Sequence, residues 1–326
     1  MELAVRLQET GGVEKLALSK IQLPDPGPGQ VRVRHTAIGL NFIDIYQRSG
    51  AFPLPLPSGL DVEAAGVVEK LGDGVATLVV GDRIAYGTGP IGAYATHANL
   101  PASRLIKLPD DVSDDVAASI MLKGLTAHML LTRVFPVNYG SMVLVHAAAG
   151  GVGSLLVQWA KARGAIVIGT ASTVEKRDMA VKLGCNFAID YRDKDFAAAI
   201  KTFTGGQGVD VVFDGIGKDT FERSLDTLRT FGHFVGFGTA SGPIVGVDLA
   251  ILNRKGSLYA SRPSVMHHIA IDANLQAAGA EMLSLVSKRI IKSQIMQRFS
   301  LSKIADAHRA LESGKTIGAS VILPDA

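Results

Sequence analysis

From Gly140 onward the apolar positions follow two alternating rhythms. Met142-Val143-Leu144-Val145 is a continuous apolar run of strand length, followed by an Ala/Gly turn from Ala147 to Gly153. Beyond Ser154, apolar residues at Leu155, Leu156, Trp159, Ala160 and Ala162 recur at helical spacing. The same pairing of short apolar run and amphipathic segment predicts strands at 142–146, 165–170, 187–190, 209–213, 231–236 and 256–260. Helices are expected between most of them, at 154–163, 174–183, 193–203 and 217–229. Regular strand–helix alternation means a parallel sheet covered on both faces, so this half is predicted to be an α/β doubly wound sheet of Rossmann type.

The pattern before Gly140 is different. Val31-Arg32-Val33-Arg34 alternates, and Ala64 to Leu71 is a second strand-like run. Pro/Gly clusters at 23–29, 52–59 and 80–84 punctuate them, which points to a small, partly closed β structure. Residues 39–50 read as a loop entering a short helix that stops at Gly50. Ser113 is a good N-cap for an apolar helix, with Asp114 and Asp115 at its positive end, and Gly124 is expected to break that helix from a following one over 125–134. The last stretch predicts a helix over 267–288, a strand at 290–295, a helix over 301–311 and a strand at 320–323. The expected organisation is a β-rich domain over 1–123 and 265–326, with the dinucleotide-type domain over 124–264 between.

The chain of 326 residues is 47% hydrophobic and 19% charged, as a well-buried globular protein is. A formal charge of +3 allows an anionic ligand but does not point to nucleic acid or a membrane. No apolar run approaches the ~20 residues of a membrane span, and the first residues carry no charged leader with an apolar stretch, so a cytoplasmic location is expected. One cysteine, Cys185, excludes an intramolecular disulfide and a cysteine-based zinc cluster. The eight histidines show no metal-ligand spacing, and Gly-x-Ser-x-Gly is missing, so no metal and no serine nucleophile are expected.

The chemistry points to a dinucleotide. The turn Ala147-x-x-Gly150-x-x-Gly153 is a close variant of the fingerprint that lets a pyrophosphate approach a helix N-terminus. The second strand ends Thr170-Ala171-Ser172-Thr173, with Ala171 where an NAD-selective site carries an acid about 20 residues past the glycines. A missing carboxylate removes repulsion against a 2′-phosphate, Ser172 can donate to one, and Lys176 adds positive charge, with Tyr191 and Arg192 able to close the pocket. The cofactor expected is NADP(H). Hydride transfer to an electrophilic acceptor needs little acid–base machinery from the protein, which fits the lack of a catalytic constellation.

The sequence resembles the zinc-independent quinone oxidoreductases of the medium-chain dehydrogenase/reductase superfamily. The resemblance covers essentially the whole chain and rests on Ile38 to Asp44, Asp61 to Val68, Leu122 to Ala127, His146 to Gly153 and Lys255 to Ser264. It implies a GroES-like catalytic domain beside the Rossmann domain, a cleft between them and a homodimer that extends the sheet. Zinc-dependent relatives carry a Cys where Asn41 stands and a His where Val62 stands, so zinc is not expected. By position, the resemblance places Asn41 and Thr126 at the nicotinamide half, Ala148, Gly150, Gly151 and Val152 with Gly153 at the pyrophosphate, Ser172, Lys176 and Tyr191 at the 2′-phosphate, Phe237, Gly238 and Arg262 along the cofactor, and Tyr46 and Phe52 around the substrate. Many relatives have Tyr at the Phe52 position and Ser at the Gly215 position, so those hydroxyls are lost here. Asn41 and Tyr46 are the implied catalytic residues, Tyr46 either as proton donor or as an aromatic wall. The activity implied is NADPH-dependent, metal-free reduction of a quinone or similar electrophilic carbonyl, either by hydride transfer directly to the hydroquinone or with single-electron products, between which the sequence does not decide. Reduction of activated C=C bonds in enones and enals is the rival, and an RNA-interacting role is a more distant one against which the modest charge argues.

Overall fold

A computed structural model describes residues 2–193 and 195–324. The chain divides into two compact units, one of residues 1–125, 269–289 and 293–326, the other of 126–268 and 290–292.

In the second unit six strands form one sheet in the order Phe187–Ile189, Ile166–Thr170, Met142–Val145, Val209–Asp214, Leu228–Gly236, Tyr259–Ser261. Every pair is parallel. In chain order this is 3-2-1-4-5-6, the doubly wound Rossmann order, whose direction reverses between Met142–Val145 and Val209–Asp214. The strands are apolar on both faces because helices cover both. Leu144, Ile168, Val212 and Phe234 join Phe196, Ile200 and Leu225 in one buried cluster.

The first unit is built on a seven-stranded mixed sheet. Its order is Ile295–Ser300, Ala319–Leu323, Gln30–Gly39, Ala64–Leu71, Arg83–Tyr86, Ile106–Lys107, with His97–Pro101 also on Gln30–Gly39. Most pairings are antiparallel, and Leu3–Arg6 with Ala17–Lys20 forms a separate ribbon. Val33, Ile38, Leu60, Ile84, Tyr86 and Tyr94 fill the core under the sheet.

Several elements depart from the sequence expectation. The helix Asp114–Met129 runs through Gly124 without the expected break and ends in a π-helical turn, Leu130–Val134. Gly124 is there for packing, since a Cβ would sit 2.0 Å from Met282 Sδ. The helix after the glycine turn begins at Gly151, three residues before Ser154, so the turn glycines form its first turn. The predicted 267–288 helix is two helices, Val265–His268 and Asp272–Ser287. The strand expected at 290–295 lies instead at Ile295–Ser300, where it pairs in parallel with Ala319–Leu323.

Gly66 sits where two strands leave no room for a side chain. A Cβ there would lie 2.2 Å from the Arg34 carbonyl oxygen and 2.8 Å from Val33 Cγ1. Gly66→Ala is therefore expected to destabilise the protein by about 1–3 kcal/mol, the usual cost of overpacking. A chemical-denaturation midpoint unchanged by the substitution would contradict the packing.

Candidate active site

The glycine turn sits at the carboxyl end of Met142–Val145, at the point where strand order reverses. Ala147 takes a left-handed conformation, φ 51°, and its carbonyl accepts the Gly150 N–H at 2.8 Å. Gly150 then N-caps the helix Gly151–Ala162 with no side-chain capping bond, so the N–H groups of the first turn remain for a ligand. Gly153 is required by close approach: a Cβ there would lie 2.2 Å from the Ala147 oxygen. Ala148 is buried, and its N–H donates to Thr170 O at 3.0 Å. His146 fixes the strand end, with Nδ1 2.8 Å from Thr170 Oγ1 and Nε2 2.8 Å from Ser224 Oγ. Burial holds its pKa below the usual histidine value.

Next to this turn lies the end of Ile166–Thr170. Ala171 is buried and Ser172 half-buried. Thr173 caps the helix Val174–Leu183, its hydroxyl accepting the Lys176 N–H at 3.3 Å, and burial lowers the Lys176 pKa. Arg192 donates to the Ser172 carbonyl and holds Asp190 at 2.7 Å. Arg177 reaches Asp190 at 3.4 Å and the Ala171 carbonyl at 3.3 Å. The Arg192 hydrogen bond is the main cause that keeps Asp190 below the usual carboxylate range. Two arginines thus gather on one carboxylate, Asp190. Lys176, Tyr191 and Arg192 are the residues expected here from the sequence, and the Tyr191 carbonyl accepts from Arg223 at 2.8 Å. Arg177 and Asp190 were not expected, since nothing in their spacing says that they meet.

The Phe237–Gly238 stretch follows the fifth strand. Both N–H groups donate to Asp214 O, at 2.8 and 3.3 Å, and a Cβ on Gly238 would lie 2.4 Å from Gly215 O. Buried Asp214 in turn accepts from Ile216 N–H, Gly217 N–H and the Thr220 hydroxyl. Arg262 donates to Gly236 O and Gly238 O at 3.1 and 3.2 Å, tying the last strand to this edge. Thr126 lies half-buried in the helix Asp114–Met129.

The other expected residues lie in the first unit. Asn41 N-caps the helix Phe42–Ser49, and the Asp44 carboxylate returns to the Asn41 backbone N–H at 2.7 Å. Tyr46 lies between Phe42 and Phe52, with ring centroids 6.1 and 5.1 Å away, so the three form an aromatic shelf. Asn41 Nδ2 donates to Glu63 Oε2 at 2.8 Å, and Lys123 Nζ reaches the same oxygen at 2.8 Å. Glu63 Oε1 accepts the Leu122 N–H at 2.7 Å. Glu63 and Lys123, both inside the motifs above, were missed as a pair because 60 residues separate them. Val62 is buried beside them. Among the described residues no three His, Cys, Asp or Glu side chains gather as metal ligands do, and no helix is long and apolar enough to cross a membrane.

Behind Asn41 lies a buried polar chain. Asp44 Oδ2 accepts from the Tyr94 hydroxyl at 2.8 Å. That hydroxyl lies 3.2 Å from His308 Nε2, and His308 Nδ1 lies 3.3 Å from Arg48, which pairs with Glu312. Asp44 Oδ1 and Asp61 Oδ2 have no hydrogen-bond partner. Burial pushes the Asp44 carboxyl up to about 7 and the Asp61 carboxyl well above its ordinary value. It pushes His308 down to about 3 and His35 down to about 4.

A Rossmann sheet of this order behind such a turn, in one chain with a β-rich unit, defines a medium-chain dehydrogenase/reductase. The comparisons narrow the class. The alcohol dehydrogenase GroES-like domain family matches residues 27–110, and the zinc-binding dehydrogenase family matches residues 151–287. A quinone oxidoreductase of Pseudomonas aeruginosa is 46% identical over 96% of this chain and 97% of its own length. A 2-haloacrylate reductase of Burkholderia is 43% identical over the whole of both chains. The structure of Escherichia coli quinone oxidoreductase complexed with NADPH superposes with a TM-score of 0.96, at 43% identity over 99% of this chain and 100% of the other. The chain belongs to the quinone oxidoreductase family of the medium-chain dehydrogenases/reductases.

The buried acid has a pH signature. Between the ordinary aspartate pKa of 3.8 and about 7 the folded protein holds a proton on Asp44 that the unfolded chain has lost, so this group's contribution to stability falls as pH rises through that window. Asp61, Glu63, Lys123 and Tyr94 all bear on the same carboxyl. The buried histidines act in the opposite sense, costing stability as pH drops below 6.5. Asp44→Asn keeps both accepted hydrogen bonds and removes the acid. The variant is expected to gain on the wild type progressively from pH 4 to pH 7 in urea denaturation. A stability difference independent of pH would contradict the assignment.

Proposed function

We propose that this protein is an NADPH-dependent reductase of quinones. The observation that carries the reading is the 43–46% identity to quinone oxidoreductases over essentially the full chain. The glycine cradle supports it, because Gly150 and Gly153 leave the space that a pyrophosphate needs above a helix N-terminus. The uncharged Ala171 beside Lys176, Arg177 and Arg192 suits a 2′-phosphate rather than a bare ribose hydroxyl.

Bound NADPH supplies a hydride, which carries two electrons to the quinone, and a proton completes the hydroquinone. Ala148, Gly150, Gly151, Val152 and Gly153 hold the pyrophosphate. Ser172, Lys176 and Tyr191 hold the 2′-phosphate. Phe237, Gly238, Arg262 and Thr126 line the remainder of the cofactor. Asn41 orients the reacting end, and Tyr46 with Phe52 forms the flat apolar wall on which a planar acceptor stacks. The Tyr46 hydroxyl is the proton donor in this reading. Asn41 and Val62 offer no zinc-ligand pair, so the reaction proceeds without a metal. The protein works as a cytoplasmic homodimer joined through the edge strand Tyr259–Ser261, whose residues are exposed.

A second reading is reduction of an activated C=C bond. It is favoured by the full-length similarity to 2-haloacrylate reductase. NADPH oxidation followed side by side with benzoquinone, naphthoquinone, a 2-enal and 2-chloroacrylate separates the two. Quinones are expected to give the higher kcat/KM, and turnover confined to the alkenes would reverse the order.

Two substitutions probe the roles. Ala171→Asp places a carboxylate against the 2′-phosphate and is expected to raise the NADPH Kd at least about tenfold, with a smaller effect on NADH. Equal affinities before and after would remove the pocket assignment. Tyr46→Phe is expected to lower kcat by ~10²-fold for a proton-transfer role, and full turnover with several quinones would leave Tyr46 as a wall residue only.

A further inference from the structure

In the first unit one buried carboxylate oxygen gathers two nitrogen donors. Glu63 Oε2 accepts from Asn41 Nδ2 and from Lys123 Nζ, each at 2.8 Å. Its other oxygen is occupied by the Leu122 N–H at 2.7 Å. Glu63 is fully buried and Lys123 nearly so. Gly39 leaves the carboxylate its space, since a Cβ there would lie 2.1 Å from Oε2. Asp44 and Asp61 are close enough for their charges to bear on Glu63 and Lys123, so a single ammonium faces three acidic side chains.

This arrangement decides which way the Asn41 amide points. A carboxylate paired with an ammonium is an acceptor only, so the amide must turn its nitrogen, not its oxygen, toward Glu63. The capping box at the start of the helix Phe42–Ser49 places the Asn41 side chain over the Asp44 N–H as well. The amide is held from two sides, and one hydrogen on Nδ2 is left without a partner among the described residues. A protonated Glu63 would instead donate to the amide oxygen, in competition with the Asp44 N–H.

We propose that Lys123 is a positioning residue for the reaction: by pairing with Glu63 it keeps that side chain an acceptor, and so holds the Asn41 amide with one N–H presented to the reacting oxygen. The inference rests on the reading of Asn41 as an active-site residue. Hydride addition leaves negative charge on the acceptor oxygen, and a fixed N–H donor there stabilises it more than the ground-state carbonyl. Lys123 acts through Glu63 and Asn41 and touches neither substrate nor cofactor.

The test is the kcat and KM for a quinone under saturating NADPH in the wild type, Lys123→Met, Glu63→Gln, Lys123→Met/Glu63→Gln and Asn41→Ala. Without its ammonium, Glu63 is no longer held as an acceptor and the Asn41 N–H loses its fixed direction. Lys123→Met is therefore expected to lose at least about tenfold in kcat with the quinone KM little changed, a split that lost stability alone would not give. Glu63→Gln, whose amide can turn either end to Asn41, and the double variant are expected to show the same loss of kcat. The NADPH KM stays near the wild-type value in the Lys123 and Glu63 variants, because the pyrophosphate grip lies on residues 147–153. Should Lys123→Met fail to fold, Glu63→Gln, which keeps the side-chain shape, carries the test alone. A wild-type kcat in Lys123→Met or in Glu63→Gln, with Asn41→Ala impaired, overturns the inference and leaves the reading of Asn41 standing. A wild-type kcat in Asn41→Ala overturns that reading and the inference together.

Discussion

The first unit of this protein depends on how a buried carboxylate is satisfied. Glu63 has no contact with solvent, and a charge so placed is tolerated only when both oxygens are hydrogen-bonded and a cation is near. Its partners come from two separate places in the chain, the turn after Gln30–Gly39 and the helix Asp114–Met129, neither of them the loop that bears Glu63 itself. Satisfying one charge therefore fixes three segments together, and it places Asn41 at the mouth of a short helix whose next turn carries Tyr46. The aromatic shelf of Phe42, Tyr46 and Phe52 is aimed by the same cap.

The other unit solves a different problem, how to bring backbone close to an anion. The parallel sheet reverses direction beside Met142–Val145, and the chain leaves that strand through a left-handed alanine and a helix that starts on glycines. His146, neutral and bonded on both ring nitrogens, holds the strand end without adding charge. Asp214 performs the equivalent service at the fourth strand by capping its own turn. Both are structural uses of residues that elsewhere do acid–base work.

Much of the Rossmann unit was legible because its signals are local. Buried parallel strands read as apolar runs, and each helix between them has its own period and stops. The misjudged elements are those where tertiary packing outweighs a local signal. Gly124 reads as a breaker, yet the helix continues because Met282 needs the space a side chain would take. The C-terminal strand sits several residues later than its apolar pattern suggests because pairing with Ala319–Leu323 sets its position. At the site, glycines and the absent acid at Ala171 could be read one at a time. The Glu63–Lys123 pair and the Asp190–Arg177–Arg192 cluster could not, since a single sequence carries no sign that distant charges meet.

The central claim is that hydride passes from NADPH to a quinone on this scaffold. Single-turnover reduction with NADPH deuterated separately at each face of C4 tests it most directly. The expected result is loss of label from one face only, slowed by deuterium, and dependent on the quinone. NADPH oxidised no faster with quinone than without it would contradict the account.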